Sequence, residues 1–350
     1  MAGPGGTNPP PWCSGRETVG SLPTVSSDPT SSTSVPGEAD SKRSSAGRSD
    51  APVDRRGQPL RLLSIHAHPD DEASKGAGAV RKYVDDGIAA TLVCCTGGEA
   101  GDILNPAMDR PGIAENLPAI RMVELGRSAQ IIGFDRVELL GYSDSGMEGT
   151  EANAHPGNFA NAPFDEAVGR LVAILRRERP QVVITYGDDQ RSYAHPDHLR
   201  VYDISLPAIE AAADAGYRPE LGGPHEVDKV YSSVWYRKRM EALHLAMGEA
   251  GLESPFDEGW RKRWSDFDQD HRVTTLIDVS GYYWVREGAL LAHATQIDPN
   301  VGFWFGVPDE ISDRVEPYDT FVLERSTVGS ANGQDGPNGF EGDLFAGLRG

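Results

Sequence analysis

Ile65-His66-Ala67-His68-Pro69-Asp70-Asp71-Glu72 closes an apolar run begun by Leu62 and Leu63 and leads into a helical pattern. It reads as a strand that stops at a cluster of side chains suited to metals. A second stretch of this kind, Tyr193-Ala194-His195-Pro196-Asp197-His198, follows the strand-like run Gln181-Val182-Val183-Ile184-Thr185-Tyr186 and opens another helix. Two strand ends offering His and Asp point to one divided metal site.

Outward from these two stretches the chain alternates apolar runs with amphipathic ones. Strands are expected from Leu62 to Ala67, Ala90 to Cys95, Val137 to Leu140, Val182 to Tyr186 and Val230 to Trp235. Helical periodicity lies between the first four, over Ala73 to Asp85, Ala119 to Ile132 and Asp165 to Arg179. Repeated strand-helix-strand units predict an α/β fold, a Rossmann-like, mostly parallel sheet flanked by helices. Ligands of such sheets gather beyond the carboxyl ends of the strands, where both clusters fall. Gly76-Ala77-Gly78 is no dinucleotide fingerprint: a third glycine at the right spacing is missing, and close packing within the first helix accounts for the pair. After Val273 come a strand candidate, a helix over Val285 to Thr295 and the aromatic run Phe303-Trp304-Phe305, which reads as core before it reads as a wall over the metal.

Residues 1–59, rich in Gly, Pro, Ser and Asp, read as a disordered tail, 60–325 as the folded domain, and 326–350 as a flexible tail. A formal net charge of -20 disfavours a nucleic-acid partner and fits a neutral or cationic small substrate. The 3 cysteines suggest no disulfide framework, Cys94 and Cys95 reading as small buried hydrophobes, so a reducing cytosol is the expected compartment. Arg55-Arg56 is followed by too short an apolar run to be an export signal, and no stretch is long enough to span a bilayer.

His66, deeper in its run than His68, reads as a structural histidine. For Asp70 and Asp71 the plain alternative is a solvated turn or a helix N-cap, but the matching His-Pro-Asp-His at another strand end favours metal binding. Pro196 suits a first helical turn, which would bring His195 and His198 to the helix start. Two imidazoles and a carboxylate with open positions suit catalytic zinc, and the same count suits ferrous iron.

Ala67-His68-Pro69-Asp70-Asp71-Glu72 paired with His195-Pro196-Asp197-His198 resembles the LmbE/PIG-L family of zinc-dependent N-deacetylases. The resemblance continues through Gly97-Gly98-Glu99, Arg121 with Glu124, and Asp144-Ser145-Gly146-Met147. It extends to a branch of amidases acting on thiol S-conjugates through the stretches at 101–109, 293–299 and 344–348. It implies an LmbE-like deacetylase fold with a C-terminal α/β cap segment, zinc on His68, Asp71 and His198, and Asp70 as general base. It further implies an oxyanion donor from His195 or Tyr193, with Asp197 orienting His195 and favouring its protonated form. Lys75 would face the acyl part of a small-molecule thiol conjugate, although its spacing from Asp71 also suits a helix-surface ion pair. Glu99, Arg121 and Asp144 would line a sugar pocket. The rival within the family is a sugar N-deacetylase with the same metal site. A natural-product paralogue of the amidase is another.

Overall fold

The computed structural model describes residues 51–190, 193–256, 258–266, 268–328 and 336–350. In chain order its strands and α-helices are β1 (Arg61–His66), α1 (Asp71–Ser74), α2 (Ala77–Asp85), β2 (Ala89–Thr96), α3 (Leu117–Ile132), β3 (Arg136–Tyr142), α4 (Glu151–Ala154), α5 (Phe164–Glu178), β4 (Val182–Thr185), α6 (Pro196–Ala213), β5 (Lys229–Ser233), α7 (Arg237–Glu249), α8 (Glu258–Asp266), β6 (Thr275–Asp278), α9 (Tyr283–Ala292), α10 (Gly302–Phe305), α11 (Asp309–Ser312) and β7 (Tyr318–Ser326). They build one seven-stranded sheet in the order β3-β2-β1-β4-β5-β7-β6. The first five strands are parallel, and β7 runs antiparallel to both neighbours.

Strand β1 shows how sequence becomes layers. Its side chains alternate across the sheet, so Leu63 and Ile65 enter a core with Leu171 of α5 and Val201 of α6. Leu62 enters the opposite core with Val80 of α2 and Leu290 of α9. Strands buried on both faces read as continuous apolar runs, and Val182-Val183-Ile184 of β4 is such a run. The chain steps from β1 through β2 to β3 in one direction and returns to place β4 on the other side of β1. The site lies at that reversal, beyond the carboxyl ends of β1 and β4.

Three expectations need correction. The helix expected over Ala73 to Asp85 is split, because Gly76 takes φ +96°, and a β-carbon there would lie 3.1 Å from Phe321 Cζ. Gly78 does pack closely, on Val279. The chain from 336 to 350 is no flexible tail: Leu344, Phe345 and Leu348 are buried in the core, each contributing about 1.5–3 kcal/mol. Residues 51–59 are likewise ordered, with Val53 bridging Pro59, Asp54 bridging Arg349, and Arg56 paired with Asp228 at 2.6 Å. The expected tail over 1–50, and residues 329–335, lie outside the described residues.

Phe303 of α10 stacks on Trp260 with ring centroids 4.7 Å apart, while Trp304 and Phe305 pack against the main core. Cys94 and Cys95 are buried thiols. Among the described residues, no helix is long and apolar enough to cross a membrane.

Candidate metal centre

Beyond the end of β1 the backbone turns sharply, and Asp70 adopts φ +114°, a conformation that side-chain-bearing residues rarely take. The turn is braced from both sides. Asp70 N–H donates to Glu72 Oε2 at 2.9 Å, and Arg121 Nη2 donates to Pro69 O at 2.6 Å and to Asp70 Oδ2 at 3.0 Å. Asp71 then begins α1, its Oδ2 accepting from His68 N–H at 3.0 Å. From the other strand end, α6 starts with His195 as N-cap, its Nδ1 accepting from Asp197 N–H at 3.2 Å, and the first turn carries His198 inward.

These two turns bring His68, Asp71 and His198 together, with ligand atoms within 4.8 Å of one another. His68 Nδ1 lies 3.5 Å and His198 Nε2 3.4 Å from Asp71 Oδ2. His198 Nε2 is buried and has no hydrogen-bond partner among the described residues, as a ligand nitrogen aimed at an ion would be. A second group shares His68 and adds Asp144, His195 and Asp197 within the same limit. The donor set fits a borderline divalent ion.

The electrostatics support the fit. Burial opposes a charge on His68, yet Asp144, Asp197 and Asp71 outweigh it and hold its pKa well above the usual value. Burial also works against the Asp71 carboxylate, but Lys75, His198 and His68 keep it well below the usual range. Carboxylates crowded on one imidazole call for positive charge, which a divalent ion held by His68, Asp71 and His198 would supply. Asp70 differs from Asp71: burial raises it to about 6 against the pull of Arg121, with the Asp71 charge adding to the rise.

The structure corrects one role. Asp197 does not orient His195 through its carboxylate, which accepts from His68 Nε2 at 3.1 Å, from Ser145 N–H at 2.9 Å and from the Ser145 hydroxyl. The Asp197 charge does favour the protonated form of His195, but burial and the nearby His68 charge outweigh it and lower His195 to about 4.

The remaining expected residues reach the site in different ways. Lys75 Nζ donates to Asp71 Oδ1 and lies 5.4 Å over the Tyr186 ring. Tyr193 is 56% exposed, its ring 5.2 Å from His198. Glu99 Oε2 accepts from Asp144 N–H at 3.0 Å, and Asp144 Oδ1 lies 3.6 Å from His68 Nε2. Arg121 is buried beneath the turn and donates to Gly98 O as well, so it acts first as a brace. Its position explains the glycines: a β-carbon at Gly98 would meet Arg121 Nη1 at 2.2 Å, and one at Gly101 would meet it at 2.6 Å. Glu124 accepts from Thr295 N–H and Oγ1 at 2.8 and 2.7 Å. His66 is a buried structural histidine, hydrogen-bonded to Ser64 Oγ at 2.7 Å.

Two contributors went unread in the sequence. Tyr186, at the end of the strand-like run 181–186, packs on His198 at 4.8 Å and receives the Ala67 N–H. Ser145 fixes Asp197; its one signal was its place in Asp144-Ser145-Gly146-Met147.

Residues 63–209 match the family model described as PIG-L, GlcNAc-PI de-N-acetylase. A mycothiol S-conjugate amidase of Streptomyces coelicolor is 43% identical over 297 residues, covering 83% of this chain and 98% of the relative. The chain belongs to the PIG-L family. A second member, the 1D-myo-inositol 2-acetamido-2-deoxy-alpha-D-glucopyranoside deacetylase of Geodermatophilus obscurus, is 38% identical over 302 residues, covering 83% of this chain and 98% of its own. The N,N'-diacetylchitobiose deacetylase of Pyrococcus horikoshii shares the fold at a TM-score of 0.52 and 18% identity, over 75% of this chain and 83% of that one. This PIG-L protein is therefore a hydrolytic enzyme of the amidase/deacetylase class, with a His/Asp cluster that fits a metal.

Proposed function

We propose that this PIG-L hydrolase cleaves the amide of mycothiol S-conjugates in thiol-based detoxification, releasing a mercapturic acid and glucosaminyl-inositol. The observation that carries this reading is 43% identity to a mycothiol S-conjugate amidase along 98% of that relative, against 38% to the Geodermatophilus deacetylase. Its support in the fold is the meeting of two motif stretches near the metal group. Leu104 N–H donates to Thr295 O at 2.9 Å, and Gln296 Nε2 donates to Asp102 O at 3.0 Å.

A divalent ion on His68, Asp71 and His198, zinc first and ferrous iron by the same donor count, would supply Lewis acidity toward the amide carbonyl and toward water. Asp70 takes the proton of the attacking water as the new C–O bond forms. His195, neutral and with Nδ1 engaged by the Asp197 N–H, carries its proton on Nε2 and donates to the developing oxyanion, with the Tyr193 hydroxyl as a second donor. As the C–N bond breaks, Asp70 returns its proton to the amine nitrogen. Lys75 meets the acyl-cysteine part, while Glu99 and Asp144 meet the sugar, with Arg121 holding the loop that carries Glu99. The reaction belongs in the cytosol, where the Cys94 and Cys95 thiols stay reduced.

The test is single-turnover hydrolysis of an S-alkylated mycothiol by the zinc-loaded protein. Asp70→Ala is expected to abolish turnover while retaining the metal. Full turnover by that variant would overturn the role of Asp70, and absence of hydrolysis by the unmodified protein would overturn the substrate.

A further inference from the structure

The braced turn at Asp70 has a second layer. Glu72 sends Oε2 to the Asp70 N–H, and its Oε1 accepts from His293 Nε2 at 2.6 Å and from the Ser128 hydroxyl. Glu72 and His293 have side chains 0% exposed, 221 residues apart in sequence. A buried carboxylate is destabilising unless it is paired, and an apolar side chain would fill the same space more favourably. Glu72 belongs to neither group of candidate metal ligands. Its remaining work is at the Asp70 backbone, held at φ +114°.

His293 is itself anchored. It follows α9, its carbonyl accepts from Gln296 N–H and Ile297 N–H at 2.9 Å, and Thr295 is fixed by Glu124. A continuous path runs from the end of α9 through His293 and Glu72 to Asp70 N–H. On the opposite side Arg121 holds the Asp70 carboxylate at 3.0 Å.

We propose that Glu72 and His293 are a positioning pair that fixes the backbone of Asp70 and so aims its carboxylate at the attacking water. This rests on the reading of Asp70 as the general base. Displacement of such a group by about 1 Å lowers turnover by as much as ~100-fold without loss of substrate binding.

The experiment uses the full chain loaded with zinc and an S-alkylated mycothiol. It measures kcat, KM, bound metal and thermal midpoint for His293→Leu, His293→Gln and Ser128→Ala, with Asp70→Ala as the separate control for the base. His293→Leu is expected to lower kcat by roughly 10- to 100-fold, with KM and metal content near wild type. His293→Gln, which restores an N–H donor toward Glu72, is expected to recover most of that loss. Should His293→Leu fail to fold, Ser128→Ala takes its place, removing one donor from the same oxygen and lowering kcat by a smaller factor under the same criteria. Wild-type kcat in the folded variants, loss of metal, a change in KM alone, or no recovery with Gln would each overturn the positioning role. Turnover that survives Asp70→Ala alone would instead overturn the reading of Asp70 as base.

Discussion

Removing the Glu341 carboxylate is expected to destabilise the fold far from the metal. Lys229 of β5 is buried with its Nζ on Glu341 Oε1, and Glu341 Oε2 accepts from Tyr231 Oη at 2.6 Å and Thr275 Oγ1 at 3.0 Å. This network joins the chain after residue 336 to β5 and β6. Lys229 Nζ also donates to Ala346 O at 3.3 Å, a neutral carbonyl. Glu341→Ala therefore leaves a buried ammonium without its counter-charge, at a cost of about 3–5 kcal/mol. For a chain of this size that lowers the thermal midpoint by on the order of 10 °C. Replacing both partners with apolar groups, Lys229→Met with Glu341→Leu, is expected to recover most of the loss, because neither charge then stays buried alone. Urea denaturation of the three proteins checks both statements. A loss below about 1 kcal/mol in Glu341→Ala, or a double variant as unstable as the single one, would refute the assignment of this network to stability.

Two further outcomes follow from the site and from α9. His198→Ala is expected to lower zinc affinity by at least ~10-fold with the circular dichroism spectrum unchanged, measured by competition with a chromophoric chelator. Glu287 is raised to about 7 by burial and by the neighbouring Asp309. A carboxyl raised in the folded state favours folding fully below its unfolded pKa near 4.5, and that contribution fades as pH rises through 7. Glu287→Gln is expected to flatten the fall in stability between these pH values, by no more than about 1 kcal/mol because solvent screens this partly exposed group. Denaturation midpoints across pH 4 to 8 that run parallel for the two proteins would refute it.

The local part of this protein was legible in its sequence. The runs that became β1 and β4 are aliphatic and buried on both faces, and each ends on residues whose joint burial makes sense around a cation. Burial and spacing yield two His/Asp clusters forming one divided site, while the grouping of His68, Asp71 and His198 as its ligands comes from the family resemblance of the two motif stretches. What escaped depends on distant pairing. β7 was not foreseen, because Asp319 interrupts its apolar character; its carboxylate accepts from Ala79 N–H at 2.8 Å, 240 residues away. The closing segment holds few apolar residues among glycines, and its order comes from contacts such as Tyr83 Oη accepting from Leu344 N–H at 2.7 Å. The error at His195 has the same origin: a carboxylate two residues on is near in sequence, but the N-cap turn directs it to His68 and Ser145.

The most direct test of the account is a competition assay in which zinc-loaded protein receives an S-alkylated mycothiol and N-acetylglucosaminyl-inositol together, with both amine products quantified. Faster cleavage of the S-conjugate, lost in Asp70→Ala, is the predicted result. Preference for the acetyl sugar would contradict the amidase reading and assign the chain to deacetylation of the sugar precursor.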